Sequence, residues 1–286
     1  MTDLDIIHTI AELRSRLDAE RAAGRSVGFV PTMGYLHDGH LSLMRASVAD
    51  NDITMASIFV NPLQFAEGED LDGYPRELER DSAMCASVGV DIVFAPSVAE
   101  MYPEPILTTV EVNEVSAPLE GEFRPTHFAG VSTVVSKLFN ISGPCRAYFG
   151  EKDFQQLAII KRMVSDLSIP VEVVGCPIIR EESGLAMSSR NSYLTDAERD
   201  AAGILNRALK AGAEAIEAGE RSLTAVQSLM AEMIDAEPLA ERDYVGVVDA
   251  ATLRQVDPLV GELRLLTATR FGKARLLDNI GVTIET

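Results

Sequence analysis

Short runs of β-branched and aromatic residues alternate along this chain with longer stretches in which apolar positions recur every three or four residues. The first such stretch, 9–23, carries Ile10, Leu13 and Leu17 at helical spacing and stops at Gly24, which predicts a helix. An apolar run at 26–30 predicts a buried strand. Leu41, Leu43, Met44 and Val48 give the next helix its buried stripe, and Asp50-Asn51-Asp52 breaks it before a second strand at 53–60. Strand, helix, strand makes a βαβ unit, whose crossover is right-handed in the great majority of cases. The pattern then repeats. A loop is expected at 68–74, a helix over 75–88 with Pro75 in its first turn and Gly89 after its end, and strands at 92–95 and 107–112. A loop at 116–128, a helix at 131–141 and strands at 146–149 and 171–174 complete a doubly wound parallel sheet of the α/β class. From Thr195 the pattern changes to Ala-rich helices, 195–218 and 222–234, followed by strands near 244–248, 263–268 and 274–277. Two domains are therefore expected, residues 1–176 and a smaller carboxyl-terminal α+β domain at 177–286.

Composition narrows what such a fold does. The chain has 286 residues, 47% of them hydrophobic, with no apolar run near the about 20 residues that span a bilayer. Met1-Thr2-Asp3-Leu4-Asp5 is acidic where a signal peptide is basic, so a cytoplasmic protein with no membrane partner is expected. A formal net charge of −19 argues against a surface that grips a long nucleic acid. A small anionic substrate then needs a local island of donors within an acidic protein. Cys85, Cys145 and Cys176 are odd in number and far apart, which favours free thiols over disulfides or a metal cage.

Three corners supply such islands. In the first, the strand at 26–30 runs through Pro31-Thr32-Met33-Gly34 into His37-Asp38-Gly39-His40. A helix beginning near Asp38 sets both imidazoles at its amino end, where backbone N–H groups already attract anions. Gly34 permits a positive φ, and Gly39 removes a Cβ where a ligand approaches. The second strand ends in Asn61 and Gln64, amides at the same sheet edge that suit either a turn or a polar ligand. The second corner is Gly150-Glu151-Lys152-Asp153-Phe154-Gln155-Gln156. Lys152 gains nothing from a helix amino end that an anionic ligand gains a great deal from, while Asp153 suits a cap. The third is the hydroxyl-rich stretch 177–191, with Met187-Ser188-Ser189-Arg190-Asn191. In the loop at 116–128, Arg124 suits either a clamp for an anion or a solvated surface position, and His127 beside Phe128 suits packing equally well.

In this order the motifs closely resemble those of the pantoate–β-alanine ligase family, over nearly the whole chain and ending with Ala274-Arg275-Leu276-Leu277-Asp278-Asn279. The resemblance implies a Rossmann-like sheet of the nucleotidyltransferase superfamily, with 177–286 as a lid. It also implies an ATP-dependent ligase that adenylates pantoate with loss of pyrophosphate, after which β-alanine attacks the acyl-adenylate to give pantothenate and AMP. By match to the family motifs, Met33, Gly34, Tyr35, Leu36, His37, Asp38, Gly39 and His40 contact ATP, with His37 in the catalytic role. Gly150, Glu151, Lys152, Asp153, Ile179, Met187, Ser188, Ser189 and Arg190 contact it as well. His40, Lys152 and Arg190 join His37 in neutralising charge that builds on the phosphate. Gln64 and Gln156 hold pantoate, with Asn61 and Arg124 as further carry-overs. Magnesium as a cofactor, no metal held by a dedicated residue set, and a homodimer are further implications. Thr126 stands where the family commonly has glycine, and Ala129 where a charged residue is expected. Rival readings are an aminoacyl-tRNA synthetase, a dinucleotide-forming nucleotidyltransferase and a non-catalytic nucleotide-binding regulator.

Overall fold

The structure, a computed structural model, describes residues 4–66 and 71–285. Part of the loop expected at 68–74 lies outside the described residues. Two compact units emerge.

The first unit comprises the chain up to Ala117, Gly121–Glu151 and Gln156–Pro177. It holds β1 (Asp5–Ile7), α1 (Ile10–Ala22), β2 (Val27–Thr32), α2 (Asp38–Asp50), β3 (Ile53–Ile58), α3 (Leu78–Ser87), β4 (Ile92–Phe94) and α4 (Val98–Met101). Then follow α5 (Glu120–Phe123), α6 (His127–Ser142), β5 (Cys145–Gly150), α7 (Phe154–Asp166) and β6 (Val171–Cys176), with the first residue of α5 and the first two of α7 falling in the second unit. The six strands form one parallel sheet in the order β1-β4-β3-β2-β5-β6. Side-chain alternation gives each face its own core. Phe29, Met55, Ile92 and Phe94 pack with Phe139 and Phe149 on one side, and Val30, Ala56 and Val93 pack with Met44 and Tyr148 on the other.

Strand order reverses at β2. From there the chain steps outward through β3 and β4, and it returns across β2 to place β5 on the other side. A doubly wound sheet binds its ligands beyond the carboxyl ends of its strands at such a switch point. The β2–β5 pairing joins Gly28 to Arg146 and Phe29 to Ala147. Pro31, two residues further along β2, has no N–H with which to prolong it.

Several local expectations need correction. Residues 107–112 form no strand: Leu107 is 97% exposed, and the backbone N–H of Val110 is taken by the Thr133 hydroxyl. The edge beside β4 belongs instead to β1, which is only three residues long. The helix expected from Pro75 starts at Leu78, because Arg76 folds back to donate to the carbonyls of Leu71 and Tyr74. His127 and Phe128 open α6 rather than close a loop.

The second unit comprises Pro118–Glu120, Lys152–Gln155 and Ile178–Thr286. Helices α8 (Asp196–Ala202), α9 (Ile204–Glu217) and α10 (Leu223–Asp235) accompany an antiparallel sheet of β7 (Glu241–Asp249), β8 (Gly261–Phe271) and β9 (Ala274–Ile284) in that order. The single helix expected at 195–218 is two, broken at Gly203, where a Cβ would crowd the carbonyl of Ser183 at 3.2 Å. The core of this unit includes Leu205, Leu209, Ile216, Val226, Met230, Leu265 and Phe271. Two short segments are tied into it by side chains. Gln155, 5% exposed, accepts from the Glu120 N–H at 3.1 Å and donates to the Pro118 carbonyl at 2.7 Å. Arg275 grips Glu120 at 2.5 and 2.7 Å and Asp243 at 2.6 Å.

Candidate active site

The first corner is built by the carboxyl end of β2 and the start of α2. Thr32 closes the strand, its hydroxyl donating to the Ser57 carbonyl at 2.7 Å and accepting the Gly34 N–H at 3.2 Å. Gly34 then takes φ +84°, and a Cβ there would sit 3.0 Å from both Asp81 Oδ2 and Ile58 Cγ2. Tyr35 follows at φ +50°, a conformation that side chains disfavour. Asp81 of α3 holds it: Oδ2 accepts the Tyr35 N–H at 2.7 Å and Oδ1 the Leu36 N–H at 2.9 Å. The neighbouring Arg80 donates to the Leu36 carbonyl at 2.9 Å and lies over the Tyr35 ring at 5.0 Å.

His37 is the N-cap of α2, and the two histidines form a capping box. His37 Nδ1 accepts the Gly39 N–H at 3.1 Å, and His40 Nδ1 accepts the His37 N–H at 3.3 Å. An Nδ1 that accepts carries no proton, so each neutral ring has its N–H at Nε2. The ring centroids stand 4.0 Å apart with planes tilted by 39°. Asp38 is exposed in the first helical turn, where a carboxylate suits the helix dipole.

Beside Met33 lies the amide cluster at the end of β3. Gln64 Nε2 contacts Met33 Sδ at 2.9 Å, and its Oε1 accepts from Asn61 Nδ2 at 3.2 Å. Asn61 is 1% exposed, with Oδ1 accepting from the Tyr102 hydroxyl at 2.8 Å. Burial pushes the Tyr102 phenol up to about 12, so it keeps the proton it donates. The Gln64 carbonyl is gripped in turn by Arg124 at 3.2 Å and by His127 Nδ1 at 2.9 Å. A carbonyl only accepts, so His127 is protonated at Nδ1, the opposite of His37 and His40. Gly130 completes the packing. Its carbonyl accepts from Asn61 at 3.2 Å, and any Cβ there would collide with the backbone of Leu63 and Gln64. Thr126 is the N-cap of α6 and Ala129 lies in its first turn, next to Gly130, whose missing Cβ permits the close approach. Gln156 is half-buried in the first turn of α7.

Gly150 closes β5 opposite Cys176, and Glu151 opens the 3-10 turn Glu151–Asp153 before α7. Lys152 and Asp153, which belong to the second unit, pair at 3.4 Å. In that unit the hydroxyl-rich stretch begins as a pinned hairpin. Arg180 bridges Ala186, the Met187 N–H donates to the Ile179 carbonyl at 2.9 Å, and Gly184 turns the chain at φ +89°. Ser188 then caps the 3-10 helix Ser189–Tyr193, its hydroxyl accepting the Arg190 N–H at 3.3 Å. Asn191, 4% exposed, ties this helix back to Glu181 at 2.9 Å and to the Ala186 carbonyl at 3.1 Å. Asp81, Arg80 and Tyr102, which no sequence motif marks, support these groups.

A family model described as pantoate-beta-alanine ligase matches residues 5–281. A pantothenate synthetase of Allorhizobium ampelinum is 53% identical over 282 residues, covering 99% of this chain and 98% of that protein. One from Heliobacterium modesticaldum is 52% identical over 279 residues, covering 98% and 99%. The crystal structure of pantothenate synthetase from Thermus thermophilus superposes with a TM-score of 0.92 at 49% identity, covering 97% of this chain and 99% of that one. The pantoate-beta-alanine ligase of Francisella tularensis, solved with beta-gamma ATP and beta-alanine, gives a TM-score of 0.79 at 34% identity, covering 97% of both chains. The sheet, its switch point and the motif-bearing corners thus agree with a match along nearly the whole sequence, and the chain belongs to the pantoate–β-alanine ligase family.

Proposed function

We propose that this ligase joins pantoate to β-alanine in two steps at the carboxyl end of the parallel sheet. In the first, a pantoate carboxylate oxygen bonds to the α-phosphorus of ATP and the bond to the bridging oxygen breaks, releasing pyrophosphate. In the second, the β-alanine nitrogen bonds to the acyl carbon, AMP leaves, and the amine proton passes to the departing phosphate or to water. The single observation that carries this reading is the first corner: two imidazoles, capped onto a helix start at the switch point, each carrying its N–H at Nε2.

The difficulty of the first step is repulsion between two anions. Donors that neutralise charge on the phosphate as it builds are worth about 10²–10³ each in rate. His37 and His40 are assigned that task, joined by Lys152 and Arg190. Residues 33–40, 150–153 and 187–190, with Ile179, are assigned to the nucleotide by their match to the family motifs. The acid is assigned to Gln64 and Gln156. Asn61 and Arg124 act on it through Gln64, since Asn61 holds the amide and Arg124 the carbonyl. Magnesium is part of the proposal on the strength of the family resemblance, and this ion commonly keeps phosphate and water ligands. When bound it supplies further charge neutralisation.

A homodimer, on the strength of the family resemblance, and a cytoplasmic location complete the proposal. No helix among the described residues is long and apolar enough to cross a membrane. The test is exchange of labelled pyrophosphate into ATP with pantoate present and β-alanine absent. Pantoate-dependent exchange is expected. Exchange that needs β-alanine, or that ignores pantoate, overturns the adenylate.

A further inference from the structure

The motif Ala274-Arg275-Leu276-Leu277-Asp278-Asn279 lies on β9, and none of its side chains has been given a part in the reaction. Two of them are nearly inaccessible polar residues, Asp278 at 3% exposure and Asn279 at 2%. Buried polar groups of this kind persist when their hydrogen bonds are satisfied, so what they bond to reports what they are for.

Asn279 reaches the second corner. Its Nδ2 donates to the Lys152 carbonyl at 2.8 Å, while its Oδ1 accepts from Arg264 Nε at 2.6 Å. The same Arg264 guanidinium lies over the Phe154 ring at 4.1 Å. Residues 152–154 are thus held at two points, a carbonyl and a ring, by one connected pair of side chains. Asp278 reaches the third corner. Its carboxylate takes a two-pronged grip from Arg180 at 2.6 and 2.9 Å. Arg180 also donates to the carbonyls of Gly184 at 3.0 Å and Asn279 at 3.3 Å, fixing the base of the hairpin that leads to Met187–Arg190. The two grips are joined, because Asp278 Oδ1 accepts the Asn279 N–H at 2.7 Å. All these residues lie in the second unit.

We propose that the Asp278-Asn279 pair is the positioning element that holds the Lys152 segment and the Arg180–Arg190 hairpin in one fixed arrangement, so that two cationic donors meet the triphosphate together. The inference rests on the assignment of Lys152 and Arg190 to ATP. It explains why a polar dipeptide occupies the middle of a strand whose neighbours Leu276 and Val282 are core residues. Neither residue touches the reacting atoms. Each acts by removing freedom from a donor that does, which lowers the ordering cost of binding.

The experiment measures ATP affinity by calorimetry, with pantoate KM at saturating ATP, on wild type, Asn279→Ala, Lys152→Ala and the double variant. Asn279→Ala is expected to weaken ATP binding about ten-fold, the worth of a well-made hydrogen bond. Its pantoate KM stays within two-fold, because the acid is assigned to Gln64 and Gln156. In the Lys152→Ala background the same change adds less than two-fold, a non-additivity that a merely structural role does not produce. Arg264→Met, at a half-buried site, releases Asn279 and Phe154 together and is expected to repeat the defect if Asn279→Ala fails to fold. ATP affinity within two-fold of wild type in the folded variants, or fully additive losses, overturns the proposal. A Lys152→Ala enzyme with unchanged ATP affinity and turnover overturns the assignment of Lys152 itself, and the positioning role with it.

Discussion

Replacing Asp81 by Asn tests whether the histidine corner is held in place from α3. The carboxylate of Asp81 is fully buried and accepts two main-chain N–H groups, from Tyr35 at 2.7 Å and Leu36 at 2.9 Å. An amide has the same shape but only one acceptor oxygen, so its NH₂ must face one of those N–H groups. One bond to a charged acceptor is lost, worth about 1.5–3 kcal/mol, and a buried N–H is left unsatisfied at about 1–3 kcal/mol. These costs overlap, so about 3 kcal/mol is the working figure. Arg80 adds little, since its side chain is 43% exposed and pairs with Asp81 at 3.3 Å in contact with solvent. Where that cost falls decides the observable. Global unfolding loses about 3 kcal/mol in a urea titration if the turn and the sheet unfold as one unit. If the turn opens alone, global stability holds and ATP affinity falls by up to about 100-fold, because 1.4 kcal/mol is a factor of ten. Urea denaturation followed by circular dichroism, together with ATP calorimetry, separates the two. Changes below about 0.5 kcal/mol in both would show that Tyr35 holds its positive φ without Asp81.

Removing either imidazole, as His37→Ala or His40→Ala, is expected to lower pantoate-dependent pyrophosphate exchange by about 10²–10³. Loss of one arm of the capping box costs only about 1 kcal/mol of helix stability. Wild-type exchange in either variant removes that imidazole from the transition state. At alkaline pH the buried thiol of Cys85 becomes the weak point. Burial, helped by the nearby Asp81 charge, raises it to about 12 from an ordinary 9.0, so its contribution is intact below pH 9 and is lost as the pH rises through 12. Cys145, pushed up to about 11 by burial, steepens the same fall. Urea midpoints recorded between pH 8 and 11 are expected to fall less steeply for Cys85→Ala than for wild type, and identical slopes refute the assignment.

The residues assigned to the nucleotide are legible in the sequence because phosphate chemistry demands particular types at short spacing. His37 and His40 had to be neighbours at one helix start, and Lys152 had to follow a strand and a glycine. Most strands and helices between them follow from apolar period together with glycine, proline and polar breaks. Failures came where the pattern was present and the partner absent. Leu107-Thr108-Thr109-Val110 has the composition of a strand, but the edge it needed is filled by β1, a strand too short to announce itself. The Ala-rich pattern of 195–218 reads as one helix, and the interruption at Gly203, whose own backbone stays in the right-handed helical region, leaves no mark on the apolar period.

The supporting residues were hidden for a different reason. Asp81 lies 46 positions from Tyr35, Asp278 lies 98 from Arg180, and Asn279 lies 127 from Lys152, so no local window contains both halves of any grip. One trace of Asp81 does survive in the sequence. It stands one helical turn before Cys85, and the two share the buried face of α3 together with Ser82. An acid on a core stripe is costly unless something bonds to it, and a helix could have put that acid on its exposed side at no cost. Its position therefore carries information that its type does not. An acid at a core-facing position implies two or more buried donors opposite, and α3 packs beside a corner whose glycine turn has N–H groups to give. By the same reasoning, Asp278 and Asn279 between the core positions Leu276 and Val282 require buried donors and a carbonyl from elsewhere in the chain, which the motifs around Arg180 and Lys152 provide.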